Sequence, residues 1–247
     1  MAYMDILLCA CKKDFARFNL DKILALGTPH VLINALKNPE SASIMDASDA
    51  GGLPRNLVLC RGMKVMLTAN LCLSQGLTNG SMGTVVGIIY LTEEDPFPTV
   101  LVQFPDYKGQ SCLPNMERVH PLGIIRCTWT LRSKQQSRTM LPLLPGYALS
   151  IHKSQGQTLD KVMIDLGDTE FTSCLTYTAL TRVRDLDSLS MRKMPPKKRF
   201  DSIAKSQGFK DMKAEEARKL ILEQTRKDVY QQELFPVDEV LDMDVDG

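Results

Sequence analysis

Between Leu53 and Phe104 the chain divides its apolar residues into short runs, LVLC, KVMLTANL, GTVVGIIY and TVLVQF, cut by Arg-Gly, Asn-Gly, Met-Gly and Pro-containing turns. Short runs rich in Val, Ile and Leu and bounded by turn residues read as strands. Strands this closely spaced predict a small β-barrel that extends to about Trp129, after which RSKQQSR is polar and expected to be exposed.

The flanks have a different texture. DILLCA, from Asp5 to Ala10, is a short apolar run that reads as a strand. In the KKDFARFNLDKILAL that follows, Phe15, Phe18, Leu20, Ile23, Leu24 and Leu26 recur at mostly helical spacing. Gly27 and Pro29 end that helix, and residues 38–52, rich in Ser, Ala, Asp and Gly, read as a loop. From Leu141 the α/β pattern resumes with a strand over Tyr147 to Ile151, a helix opening near Ser154 with that serine as N-cap, and a strand VMIDL. A helix around Tyr177 to Thr181 and a strand near LSM follow. The sequence therefore predicts an α/β domain, residues 1–52 and 141–200, with a β-barrel inserted at 53–140. A tail at 201–247 is helical over Ala214 to Glu233 and ends in the acidic VDEVLDMDVDG.

Charge narrows the partners. Thirty Lys and Arg face 29 Asp and Glu, so a nucleic-acid surface has to be a local patch rather than an overall basic field. Seven cysteines without a CxxC pair argue against a zinc site or a disulfide framework, and for a reducing compartment. No run approaches the roughly 18 apolar residues of a membrane span, so an intracellular protein without a membrane partner is expected. The basic run RKMPPKKR, Arg192 to Arg199, reads as a nuclear address or as a solvated loop.

The chemistry concentrates in Leu143 to Leu159, LLPGYALSIHKSQGQTL, where an apolar strand runs into hydroxyl, imidazole, amine and amide groups around a glycine. Polar groups gathered at a strand end mark ligand sites in α/β folds. Ser150, His152, Lys153 and Gln155 offer donors suited to phosphates, and Gly156 lets the backbone approach a ligand closely. A plain polar strand-to-helix turn would use the same residues.

IHKSQGQTL resembles the fifth helicase motif of the Pif/RecD-like DNA helicases of superfamily one, and YTALTRVR, Tyr177 to Arg184, resembles their sixth. LPRNLVLCRGMKVMLTANL with GLTNGSMGTVVG resembles the segment leading into that family's small SH3-like barrel. DILLCACKKDFARFN resembles, more loosely, the first strand and helix of its second RecA-like domain. Among family members the Helitron-related helicases look most similar. The resemblance implies a RecA-like, P-loop NTPase-type second helicase domain with an SH3-like β-barrel inserted, acting in five-prime to three-prime, ATP-dependent DNA unwinding. It implies ATP and Mg2+ as cofactors, single-stranded DNA as the track, and repair, recombination or telomere maintenance as roles.

Residue by residue, Arg182 matches the catalytic arginine that reaches the terminal phosphate, a task suited to a guanidinium that stays charged and forks onto phosphate. Gly156 and Gln157 match positions near the nucleotide, although other branches carry a glutamate where this chain has Gln157. Ser150, His152, Lys153 and Gln155 match the DNA track, and Asn79 and Gly80 match a turn of the insert that reads as a structural hairpin turn.

The same resemblance requires a loop GxxxxGK[ST] to hold the phosphates, and the sequence contains no Gly-Lys pair. Asp238 and Glu239 follow the sixth motif, which is the wrong order for the magnesium-binding acidic pair. The residues present are thus expected to form one wall of a nucleotide cleft, inactive alone, with a first RecA-like domain in trans as partner and binder of most of the ATP and Mg2+. The competing expectation is a non-enzymatic single-stranded-DNA-binding or interaction module.

Overall fold

The computed structural model describes residues 6–38, 47, 50–92, 94–131, 133–169, 172 and 174–234, with the side chains of residues 12 and 227–234 left aside. The acidic end with Asp238 and Glu239, and most of the expected 38–52 loop, lie outside the described residues. The chain divides into two compact units, Met1–Gly167 with Tyr177–Met194, and Asp168–Thr176 with Pro195–Gly247.

In the first unit β1 (Ile6–Cys9) leads into α1 (Lys12–Leu24). β2 (His30–Asn34), β3 (Leu36–Asn38), β4 (Asn56–Cys60) and β5 (Lys64–Leu67) come next. β6 (Met82–Ile89), β7 (Thr99–Gln103), β8 (Val119–Leu122), β9 (Ile125–Leu131) and β10 (Lys134–Met140) follow. The chain returns through β11 (Leu143–Pro145), β12 (Ala148–Ser150) and β13 (Val162–Asp165) to α2 (Leu175–Leu180) and β14 (Leu189–Met191).

Four strands form one parallel sheet in the order β12-β1-β13-β14. β1 lies inside it, which is why ILLC reads as an unbroken apolar run: both faces of a parallel strand are covered. α1 packs Phe15 and Phe18 against Leu7, Cys9 and Ala148. Asn19 lies in the same buried face. Its Nδ2 donates to the carbonyl of Ala148 at 2.8 Å, and its Oδ1 accepts from the N–H groups of Ala148 (2.8 Å) and Tyr147 (3.1 Å). Leu20 and Leu24, offset around the helix, are exposed.

The expected β-rich segment is antiparallel, with sheets β11-β5-β6-β7-β8, β3-β10-β9 and β2-β4. Val65, Leu67, Val85, Val100, Val102, Phe104 and Leu122 are buried in its core. Residues 30–38, expected in the α/β part, form two strands that pair with β4 and β10, so the chain leaves the parallel sheet soon after α1. It comes back where β11 leads into β12: Pro145 still pairs with β5 while Ala148 pairs with β1. The Tyr147 hydroxyl accepts from the Lys64 N–H at 3.1 Å at this crossing.

Two expectations are corrected. Lys134–Met140, overlapping the RSKQQSR expected to be exposed, is strand β10, hydrogen-bonded on one side to β3 and on the other to β9, with Gln136, Ser137 and Arg138 buried. Arg138 is accommodated because its Nη1 donates to the Leu53 carbonyl at 2.8 Å and its guanidinium lies 5.9 Å from the centre of the Trp129 ring. Nor does a helix open at Ser154. Ile151–Ser154 is a single 3-10 turn capped by Ser150, whose Oγ accepts from the Lys153 N–H, and the Ser154 hydroxyl donates back to Ile151. Gln155 is extended and Gly156 has φ +80, a left-handed conformation that stops helical propagation.

The second unit holds α3 (Lys197–Lys205) and α4 (Gln207–Leu234). Arg199, the last residue of the basic run, is buried there, and its Nη2 donates to the Thr176 hydroxyl at 3.0 Å. At the other end of the run Arg192 pairs with Asp165 at 3.5 Å. Among the described residues no helix is long and apolar enough to cross a membrane.

Candidate functional site

The candidate site grows from the C-terminal end of β12, where Ser150 ends the strand and caps the turn that carries His152 and Lys153. His152, Gln155 and Gly156 are exposed, Lys153 and Gln157 are half-buried, and Ser154 is fully buried. The exposed imidazole and amide face solvent, where a ligand would meet them, while Ile151 and Ser154 anchor the turn from below. Burial holds the Lys153 ammonium below the ordinary lysine range, because removing charge from water disfavours the protonated form. A phosphate beside it would favour the protonated form.

Arg182 joins this loop to the segment after α2. Its Nε donates to the Thr178 carbonyl at 2.8 Å, one helical turn back. Nη1 donates to the carbonyls of Gln157 (3.1 Å) and Ser154 (3.3 Å), and Nη2 to the Thr181 hydroxyl (2.9 Å). The Leu159 N–H donates to the Arg182 carbonyl at 2.8 Å, closing the connection in the other direction. A guanidinium has five N–H donors. One at Nε, two at Nη1 and one at Nη2 are engaged, which leaves a single Nη2 donor and the charge for a ligand in this conformation.

The structure thus brings together Ser150, His152, Lys153, Gln155, Gly156, Gln157 and Arg182, seven residues chosen from two separate stretches of sequence. It also adds a neighbour that sequence reasoning took only as a turn. Asn79 and Gly80 do not make a two-residue hairpin; they close the excursion 68–79 between β5 and β6, with the Gly80 N–H donating to Leu67 at 2.8 Å. The Gln157 carboxamide lies directly against Gly80 and places its Nε2 3.9 Å from the Met66 sulfur. No local signal announces a contact between residues so far apart in the chain.

A parallel sheet in the order β12-β1-β13-β14, with polar loops at its strand ends and antiparallel sheets built between β1 and β12, is the RecA-like helicase fold. A Pif1 helicase from Candida albicans superposes on 80% of the chain with a TM-score of 0.62 and 24% identity, using 47% of its own length. A Bacteroides Pif1 bound to single-stranded DNA covers 84% of the chain and 46% of its own, with a TM-score of 0.51 and 22% identity. By sequence the chain is 36% identical over 193 residues to the human ATP-dependent DNA helicase PIF1, a match that takes in 76% of this chain and 27% of the human protein. No family model matches the chain. Over the matched residues the chain is a homologue of the Pif1 ATP-dependent DNA helicases, and it spans about a quarter of the length of the relatives it matches.

Proposed function

We propose that the chain forms one wall of an ATP-driven, five-prime to three-prime DNA helicase: a second RecA-like domain that supplies Arg182 to the nucleotide and part of the single-stranded DNA track. The reading rests on one observation, the anchoring of the Arg182 guanidinium on the carbonyls of Ser154 and Gln157. This contact makes the phosphate-sensing arginine and the polar strand-end loop a single mechanical piece. Ser150, His152, Lys153 and Gln155 would hold backbone phosphates without reading sequence. Gly156 and Gln157 would border the nucleotide. Residues 53–140 are read as an SH3-like barrel between the two parts of the RecA-like domain, 1–52 and 141–200.

ATP with Mg2+, when bound, supplies the phosphoryl transfer whose free energy drives domain closure and reopening. Because the sequence carries no Gly-Lys pair for a phosphate-holding loop, the reading assigns the metal and most of the nucleotide to a first RecA-like domain. Arg182 fits its part with a constraint: one free N–H permits a single phosphate contact, and an end-on bidentate contact through Nη1 and Nη2 requires release of a carbonyl of the loop. Nucleotide binding would thereby be felt directly at the DNA track.

The test is DNA-stimulated ATP hydrolysis by the purified chain, alone and mixed with a Pif1-family first RecA-like domain. Silence alone with activity on mixing supports a half-motor. Silence in both, with oligonucleotide binding retained, would favour a non-enzymatic single-stranded-DNA-binding module, and activity alone would overturn the assignment of the phosphate-binding wall to another domain.

A further inference from the structure

The turn at Asn79 and Gly80 and the loop ending at Gln157 are far apart in sequence, yet they touch where the chain has no slack. Gly80 has φ +98, and a Cβ placed on it would lie 2.5 Å from Nε2 and 3.2 Å from Cδ of Gln157. The turn cannot retreat easily. The Gly80 N–H is bonded to Leu67 (2.8 Å), the Ser81 N–H to Thr78 (3.0 Å) and the Asn79 N–H to Oδ1 of Asn70 (2.8 Å). The Gln157 main chain is likewise tied, because its N–H donates to Ser154 at 3.0 Å and its carbonyl accepts from Arg182 at 3.1 Å. Its side-chain Oε1 is buried with no hydrogen-bond partner. The carboxamide is therefore held by packing against Gly80 and by one weak bond from its Nε2 to the Met66 sulfur at 3.9 Å, and its unanswered oxygen costs free energy in a folded protein.

We propose that Gly80 and Gln157 form a joint through which the Asn79–Gly80 turn of the antiparallel segment sets the position of the 151–157 loop and of Arg182. Both are positioning residues. A shift of the turn toward the loop presses on the carboxamide, and the Gln157 main chain carries the displacement to the guanidinium. A methyl at Gly80 would collide with the carboxamide where it now lies. The consequence for a motor rests on the helicase reading above; the joint itself does not.

Amide hydrogen exchange followed by NMR on the full chain tests it, with Gly80→Ala, Gly62→Ala, Gln157→Ala and the double variant Gly80→Ala/Gln157→Ala. Gly62 has φ +87, and a methyl added there would meet no atom within 4 Å, so its substitution reproduces the backbone strain without the collision. Exchange at the Gln155 and Gln157 amides should quicken about tenfold in Gly80→Ala and stay unchanged in Gly62→Ala. The double variant should match Gln157→Ala within about twofold, since the methyl then has space. If Gly80→Ala does not fold, the reciprocal measurement decides: Gln157→Ala alone should speed exchange of the Gly80 amide about fivefold. Equal effects of Gly80→Ala and Gly62→Ala, no rescue in the double variant, or an unchanged Gly80 amide in Gln157→Ala would each overturn the joint. Oligo-dT binding by the unaltered chain, recorded alongside, separates failure of the DNA-track reading from failure of the joint.

Discussion

Nη1 of Arg182 lies 3.1 Å from the carbonyl oxygen of Gln157, so the residue proposed to sense the nucleotide is bonded to the backbone of the loop proposed to hold DNA. The guanidinium shapes the loop and has one donor left over, which the proposed function assigns to a phosphate. A lysine could match the charge but not the simultaneous contacts to Thr178, Ser154, Gln157 and Thr181.

In a system completed by a first RecA-like domain, Arg182→Ala should lower kcat for ATP hydrolysis by about a thousandfold or more. Arg182→Lys should remain well below the unaltered chain because the fork is lost. Steady-state ATPase assays check both, and an Arg182→Ala complex with undiminished kcat would remove the catalytic role.

Lys153 carries a pH signature. Burial places its folded pKa below that of the unfolded chain; between the two values folding releases a proton, and this residue's contribution to stability rises with pH across that window. Phosphate binding favours the charged form, so oligo-dT affinity should fall as pH rises through the lowered folded value, before ordinary lysines discharge. Lys153→Arg should resist that fall. Lys153→Ala should reduce the slope of log affinity against log salt by about 0.7. Fluorescence anisotropy titrations over pH and salt measure both effects, and identical pH profiles for the unaltered chain and Lys153→Arg would remove Lys153 from the track.

Asn19 should be a stability hot spot although it is remote from any chemistry. Asn19→Ala removes three hydrogen bonds and leaves the buried N–H groups of Tyr147 and Ala148 unanswered, at a cost of about 2–4 kcal/mol. Urea denaturation should show the midpoint falling with little change in slope.

Arg138 and Trp129 provide a spectroscopic check on the buried face of β10. Trp129 is the single tryptophan, so its fluorescence reports this place alone. Arg138→Ala should alter the emission and destabilise the fold by about 3 kcal/mol through loss of the Leu53 contact and of packing on the ring. Emission unchanged under native conditions would mean that the guanidinium does not lie on the indole.

Much of the fold is legible locally. ILLC and VMID appear as strands because a parallel sheet covered on both faces demands continuous apolar runs. LVLC, GTVVGIIY and TVLVQF appear because turn residues bracket β-branched ones. KQQSR gives no such signal: the burial of Gln136, Ser137 and Arg138 follows from pairing with neighbouring strands, and Arg138 reaches its acceptor at Leu53, far away in sequence. The turn after Ser150 is misread for a related reason. Ser154 looks like an N-cap in one dimension, but its hydroxyl turns back to Ile151 and Gly156 takes a left-handed backbone.

The amino-acid sequence alone determined β1, α1, β12, β13 and α2 of the α/β parts, the β-rich insert between them, and two motifs whose order points to the Pif1-like helicases, since these depend on residue spacing along the chain. Tertiary structure alone decided that Arg182 rests on Ser154 and Gln157, that Asn19 clasps the start of β12, and that Gly80 meets Gln157. Such contacts join residues whose separation along the chain carries no periodic signature. The contacts of Asn19 and Gly80 are made where β11 and β12 carry the chain from the antiparallel sheet back into the parallel one, which brings Gly80 and Met66 of the insert against Gln157 in the loop that follows.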